Sequence, residues 1–170
     1  MENAARAFIA ALYYQSERYN YNPMSKKTNQ ALTFFIPKPG EHNTGVIYFD
    51  TGISAGFPSP ADDFKQERLS LDSELIKNKE ATFFARVSGQ SMIDAGLNDN
   101  DLLVIDRSLT PENNRIAVCF LDGEFTVKRL KVDGEEVWLQ PENKNYNPIK
   151  ITSENDFVIW GIVTNVIKKV

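Results

Sequence analysis

From residue 81 onward the chain is a succession of short β-branched and aromatic runs separated by turn residues, and this spacing restricts the fold more than any other feature. The runs are "ATFFARVSG" (81–89), "DLLVIDRS" (101–108), "RIAVCFLDGEFTVKRL" (115–130), "EEVWLQP" (135–141) and "FVIWGIVTNVIKKV" (157–170). Each has the length and the Val, Ile, Phe and Trp content of a strand. Asp122-Gly123, between two halves of one run, is a hairpin signal because both residues tolerate positive φ, and Asp133-Gly134 reads as a second. Repeated hairpins without intervening helices predict a mainly β domain of curled antiparallel sheets over 81–170.

The preceding text is different. Residues 1–62 are asparagine-rich and broken by Pro23, Pro37, Pro39, Pro58 and Pro60. Two apolar fragments stand out there, "ALTFFIP" (31–37) and "GVIYFDTGI" (45–53), as strands or extended segments that dock on something else. "MENAARAFIAALYYQSERYNYNP" suits a short helix ending near Tyr19 to Pro23 and makes a poor signal peptide, with Glu2 and only Arg6 in its opening. Met24-Ser25-Lys26-Lys27 reads like a second start, which would make 1–23 a start-site extension. A short helix is expected after Leu71, with Asp72 as its cap and Leu75-Ile76 facing inward.

The chain's 170 residues, 42% apolar and 25% charged, suffice for one globular domain and a tail. A formal charge of −4 argues against gripping phosphate backbones as a main task. The single cysteine, Cys119, excludes an internal disulfide framework and suits a reducing cytoplasm. Within "IAVCFLD" it reads as a buried small hydrophobe. The lone His42 offers neither a triad nor a metal cluster, and no metal or cofactor is expected. No apolar run reaches the roughly 18 to 20 residues of a membrane helix.

Two places can carry chemistry. In "SGQSMIDAGLNDNDLLVID", Ser91 follows a strand and a glycine bend, and a short helix after it would leave backbone N–H groups unpaired for an oxyanion. On local sequence alone Ser91 reads first as the cap of that turn. In "DGEFTVKRL", strand alternation puts Glu124, Thr126, Lys128 and Leu130 on one face and Phe125, Val127 and Arg129 on the other. Lys128 is a solvated strand lysine or, if buried, a neutral amine able to take a serine proton, with Thr126 placed to orient it.

Three blocks in order, "AGFPSPADDF", "SGQSMIDAGLNDNDLLVIDRS" and "DGEFTVKRL", resemble the LexA/UmuD family of self-cleaving serine–lysine peptidases, and most closely its UmuD branch. The resemblance runs from about Gly52 to Val170. It implies Ser91, followed by Met92, as nucleophile, Lys128 as general base, and Ala55-Gly56 as the bond cut. It divides the chain into an arm removed by self-cleavage (1–55), a linker with a short helix (56–80) and the peptidase domain (81–170). It further implies cleavage stimulated by the RecA filament on single-stranded DNA, homodimers, and a cytoplasmic product that serves a UmuC-type Y-family translesion polymerase. Gly56 and the prolines after it keep the segment extended and unobstructed. The alternative, a LexA-like or phage repressor, needs an N-terminal helix-turn-helix, and the proline-broken first 55 residues show no such pair of helices. No sequence-specific DNA binding is expected. The first 50 residues depart from the family pattern.

Overall fold

The computed structural model describes residues 66–170 and two upstream segments, 32–35 and 46–49. The expected N-terminal helix, Met24, His42 and the Ala55-Gly56 bond lie outside them. The chain divides into two compact units, one of Met1–Pro37 with Asn78–Val170, the other of Lys38–Lys77.

In the larger unit, eight antiparallel strands form one sheet. They are β1 (Leu32–Phe35), β4 (Thr82–Val87), β5 (Leu102–Asp106), β6 (Ile116–Leu121), β7 (Glu124–Asp133), β8 (Glu136–Gln140), β9 (Ile149–Ile151) and β10 (Phe157–Ile167). Their order across the sheet is β1-β4-β5-β10-β6-β7-β8-β9. The smaller unit holds a two-stranded antiparallel ribbon of β2 (Val46–Phe49) and β3 (Gln66–Leu69), then helix α1 (Leu71–Leu75).

The turn residues act as their chemistry predicts. Leu121 pairs with Glu124 across a two-residue loop in which Asp122 and Gly123 take φ of 48° and 97°, the positive values that match the twist of the flanking strands. The second hairpin is shifted by one residue: Asp133 pairs with Glu136, so Gly134, at φ 63°, opens a Gly134-Glu135 loop.

Period-two alternation packs both faces of the sheet. On β10, Ile159 and Ile162 join Ala117, Cys119, Leu130 and Leu139, whereas Trp160 joins Val118, Phe125, Val127 and Ile105 on the other side. β10 carries two register shifts, between Ile159 and Gly161 against β6 and between Val163 and Asn165 against β5. Bulges of this kind bend a strand. Gly161 sits at the first of them, where a Cβ would lie 2.7 Å from Ile105 Cγ2.

One expectation is corrected, and two strands appear where no element was expected. Helix α1 is capped by Ser70, whose hydroxyl accepts from the Ser73 N–H, because Asp72 already lies inside the first turn. "QERL" (66–69) is a strand despite its polarity, since pairing with β2 supplies what propensity does not. Ile149–Ile151 is a strand too short to announce itself, held along β8. Leu75 and Ile76 are half-buried and Leu71 is exposed.

Candidate active site

Ser91 and Lys128 come from different parts of the sheet. Ser91 lies in the loop between β4 and β5, just before a 3-10 turn at Ile93–Ala95. Gly89 turns the chain there at φ 101°, and its N–H donates to Asp99 Oδ1 at 2.8 Å. Met92, 2% exposed, is sunk in the core beside Ser91 and fastens the loop. Lys128 stands in the middle of β7, opposite Ala117 on β6.

The two side chains meet, with Lys128 Nζ 2.9 Å from Ser91 Oγ. Nζ also lies 2.8 Å from Thr126 Oγ1 and donates to the Val127 carbonyl at 3.0 Å. Thr126 and Lys128 share a strand face, as their spacing requires. Lys128 is 8% exposed. Removing its amine from water disfavours the charged form, so its pKa is lowered from the ordinary lysine value. Only an ionised Cys119 would oppose this. Burial pushes that thiol up to about 12, so it is uncharged at neutral pH and offers the amine no counter-charge.

An uncharged amine has two N–H bonds and one lone pair. With the Val127 carbonyl and Thr126 Oγ1 as acceptors, the lone pair is left for the Ser91 hydroxyl, which then donates to Nζ. The arrangement can therefore move a proton from oxygen to nitrogen.

The N–H groups nearest the hydroxyl divide in an instructive way. Those of Ile93 and Asp94 are taken by the carbonyls of Gln90 (3.4 Å) and Glu142 (2.8 Å), so the short turn after Ser91 does not leave its own first amides open. Those of Ser91 and Met92 have no acceptor among the described residues.

A groove of about 350 Å³ opens over the pair, lined by Gln90, Ser91, Glu124, Thr126, Lys128 and Tyr146 among others. A hollow of about 40 Å³ adjoins it between Val87, Ser88, Gly89, Met92, Thr126 and Val127.

The segment after β8 braces the serine loop. Asn143, 6% exposed, donates from Nδ2 to the Gln90 carbonyl at 2.8 Å, and the neighbouring Glu142 carbonyl takes the Asp94 N–H. The Glu142 carboxylate pairs with Arg129 on β7. Nothing in "PENKNYNP" marks Asn143 locally, because its partner is 53 positions away. Among the described residues no group of three or more His, Cys, Asp or Glu could hold a metal ion, and no helix is long and apolar enough to cross a membrane.

The model of the Peptidase S24-like family matches residues 47–164. Protein MucA of Salmonella typhimurium is 45% identical over 121 residues, covering 71% of this chain and 82% of MucA. Protein ImpA of Shigella flexneri is 44% identical over 121 residues with the same coverage. A LexA repressor of Acidithiobacillus ferrooxidans is 39% identical over 131 residues, covering 75% of this chain and 63% of the repressor. A family match over most of the β-rich region, joined to relatives at this level of identity, places the chain in the Peptidase S24-like family, as a UmuD-like member of the LexA/UmuD self-cleaving serine peptidases.

Proposed function

We propose that the chain cuts itself between Ala55 and Gly56, with Ser91 as nucleophile and Lys128 as general base. The observation that carries this reading is the 2.9 Å approach of a buried lysine amine to a serine hydroxyl at a groove. Neutral Lys128 takes the Ser91 hydroxyl proton as Oγ bonds to the Ala55 carbonyl carbon. The Ser91 and Met92 N–H groups hold the oxyanion. The Ala55–Gly56 C–N bond then breaks, the Nζ proton passes to the Gly56 amine, and water hydrolyses the ester to restore Ser91. Thr126 orients the amine and Met92 anchors the loop. The 40 Å³ hollow beside Ser91 suits the single methyl of Ala55 better than a branched side chain.

In this reading residues 1–55 are a removable arm, 56–80 a linker with the short helix, and 81–170 the peptidase domain. The chain is a cytoplasmic homodimer of the SOS response. Activated RecA filaments on single-stranded DNA favour the conformer in which the bond enters the groove, a population shift rather than new chemistry. The product, residues 56–170, serves a UmuC-type translesion polymerase. Similarity to MucA and ImpA, each covered over 82% of its length, supports this over a repressor, where the match covers 63%.

The test is the intact mass of the chain before and after alkaline incubation, with and without activated RecA. Fragments meeting at residues 55 and 56 are expected, and Ser91→Ala and Lys128→Ala abolish them. Cleavage that persists in either variant overturns the assignment.

A further inference from the structure

β1 is not part of the family match, which begins at residue 47, yet it is hydrogen-bonded into the main sheet. Leu32 pairs with Val87, Thr33 with Arg86, Phe34 with Ala85 and Phe35 with Phe84. It covers one edge of a sheet whose two ends differ sharply. At the far end β9 is three residues long, carries Lys150 at its centre and follows Pro148, the features by which proteins blunt an edge. β4 is six residues long, Thr-Phe-Phe-Ala-Arg-Val, with one charge and no proline. Bare, it would offer a long row of unpaired N–H and C=O groups on an apolar strand, a template for another strand.

We propose that the β4 edge is a strand-docking site for an extended apolar peptide, occupied in the intact chain by its own Leu32–Phe35 and opened to exchange when the chain is cut. β1 lies upstream of Ala55-Gly56. While the chain is whole, its tether supplies β1 at an effective concentration of about millimolar order. Once the bond is broken, four residues must hold by their own pairing, and the segment becomes a free ligand in competition with any strand of similar pattern. The opening step rests on the cleavage proposed above; the identity of the docking edge does not.

The test uses the full chain and a fluorescent peptide of residues 30–37, followed by anisotropy. Ser91→Ala keeps one sample whole, and a second sample is the same chain after self-cleavage. Two further samples add Thr33→Pro or Phe34→Pro to the Ser91→Ala chain. Neighbouring N–H groups on a strand point to opposite sides, so one of the two prolines must remove a donor aimed at β4. The peptide is expected to bind the cut chain, and at least one proline variant, about tenfold or more tighter than the whole chain. Amide exchange at Phe84–Val87 should rise in the same samples. Equal binding to all samples, no binding to the cut chain, or unchanged protection of β4 after the cut would each overturn the proposal. So would a dimer through β4 that excludes the peptide, since the occupant would then be a second copy. If no cut forms at all, the cleavage reading fails, and the proline variants still decide whether β4 is a docking edge.

Discussion

Lys128 Nζ and Ser91 Oγ stand 2.9 Å apart although the residues are 37 positions apart in sequence, and the amine reaches this point from a strand that leaves it 8% exposed. Burial, rather than any neighbouring charge, sets the state of the pair.

One consequence concerns the rate. Burial holds Lys128 below the ordinary lysine value of 10.5, and only the uncharged amine accepts the serine proton. Self-cleavage is therefore expected to climb with pH and to reach its plateau below that value. Lys128→Arg, which stays charged, should show no rise. Time courses of fragment formation across neutral and alkaline pH measure both. A profile centred at or above 10.5 would mean that the amine is solvated when it reacts.

The same burial affects stability. The folded pKa is lowered, so between it and the ordinary value the unfolded chain binds more protons than the folded one, and stability rises with pH across that window. Below the folded pKa the cost of charging the buried amine is fully present. Lys128→Met is thus expected to be more stable than the parent at neutral pH, with the difference narrowing as pH nears the ordinary lysine value. Urea unfolding of the two chains at several pH values tests the sign.

Thr126 is expected to act through Lys128. Its Oγ1 lies 2.8 Å from Nζ, and Thr126→Val keeps the shape while removing the acceptor. Loss of one hydrogen bond that holds the amine toward Ser91 should slow cleavage about five- to tenfold. Thr126→Ser should restore it. A shift confined to the pH midpoint, with an unchanged plateau, would show that Thr126 tunes the charge instead of the position.

Asn143 makes a different kind of contribution. Its Nδ2 donates to the Gln90 carbonyl, next to the nucleophile. Asn143→Ala leaves that carbonyl only the long 3.4 Å bond from the Ile93 N–H and is expected to cost about 1–3 kcal/mol of stability. It should slow cleavage beyond the folded fraction lost, because the Ser91 loop loosens. Urea unfolding gives the first quantity, and cleavage rates under conditions where the variant stays folded give the second.

These residues also mark what could be read from the chain alone. Period-two alternation puts Thr126 and Lys128 on one face, and Asp122-Gly123 sets the hairpin that brings β6 against β7. Those are local signals, and the backbone follows them. Burial of Lys128 and its approach to Ser91 depend on the loop after β4 reaching β7, although three strands separate β4 from β7 in the sheet order, and the similarity of three blocks to a family suggested them where local pattern left both residues ambiguous. The Asn143 and Glu142 brace had no signal of either kind. "QERL" and "IKI" became strands because a neighbour offered a partner, which no propensity encodes.

Gly161 tests the packing behind the site. It lies at a register shift in β10, where an added Cβ would meet Ile105 Cγ2 at 2.7 Å and Arg107 Cγ at 3.3 Å. Ile105 is fully buried and cannot move aside without disturbing the cluster that also holds Met92 and Val127. Gly161→Ala is therefore expected to cost about 1–3 kcal/mol, the usual penalty for overpacking a filled core. Ile105→Leu has no methyl on its β carbon and should relieve much of that cost, so the two changes together should destabilise less than the sum of each alone. Denaturant midpoints of the four chains complete the cycle. Strict additivity would mean that the glycine is needed for the bend of β10 itself and not for room beside Ile105.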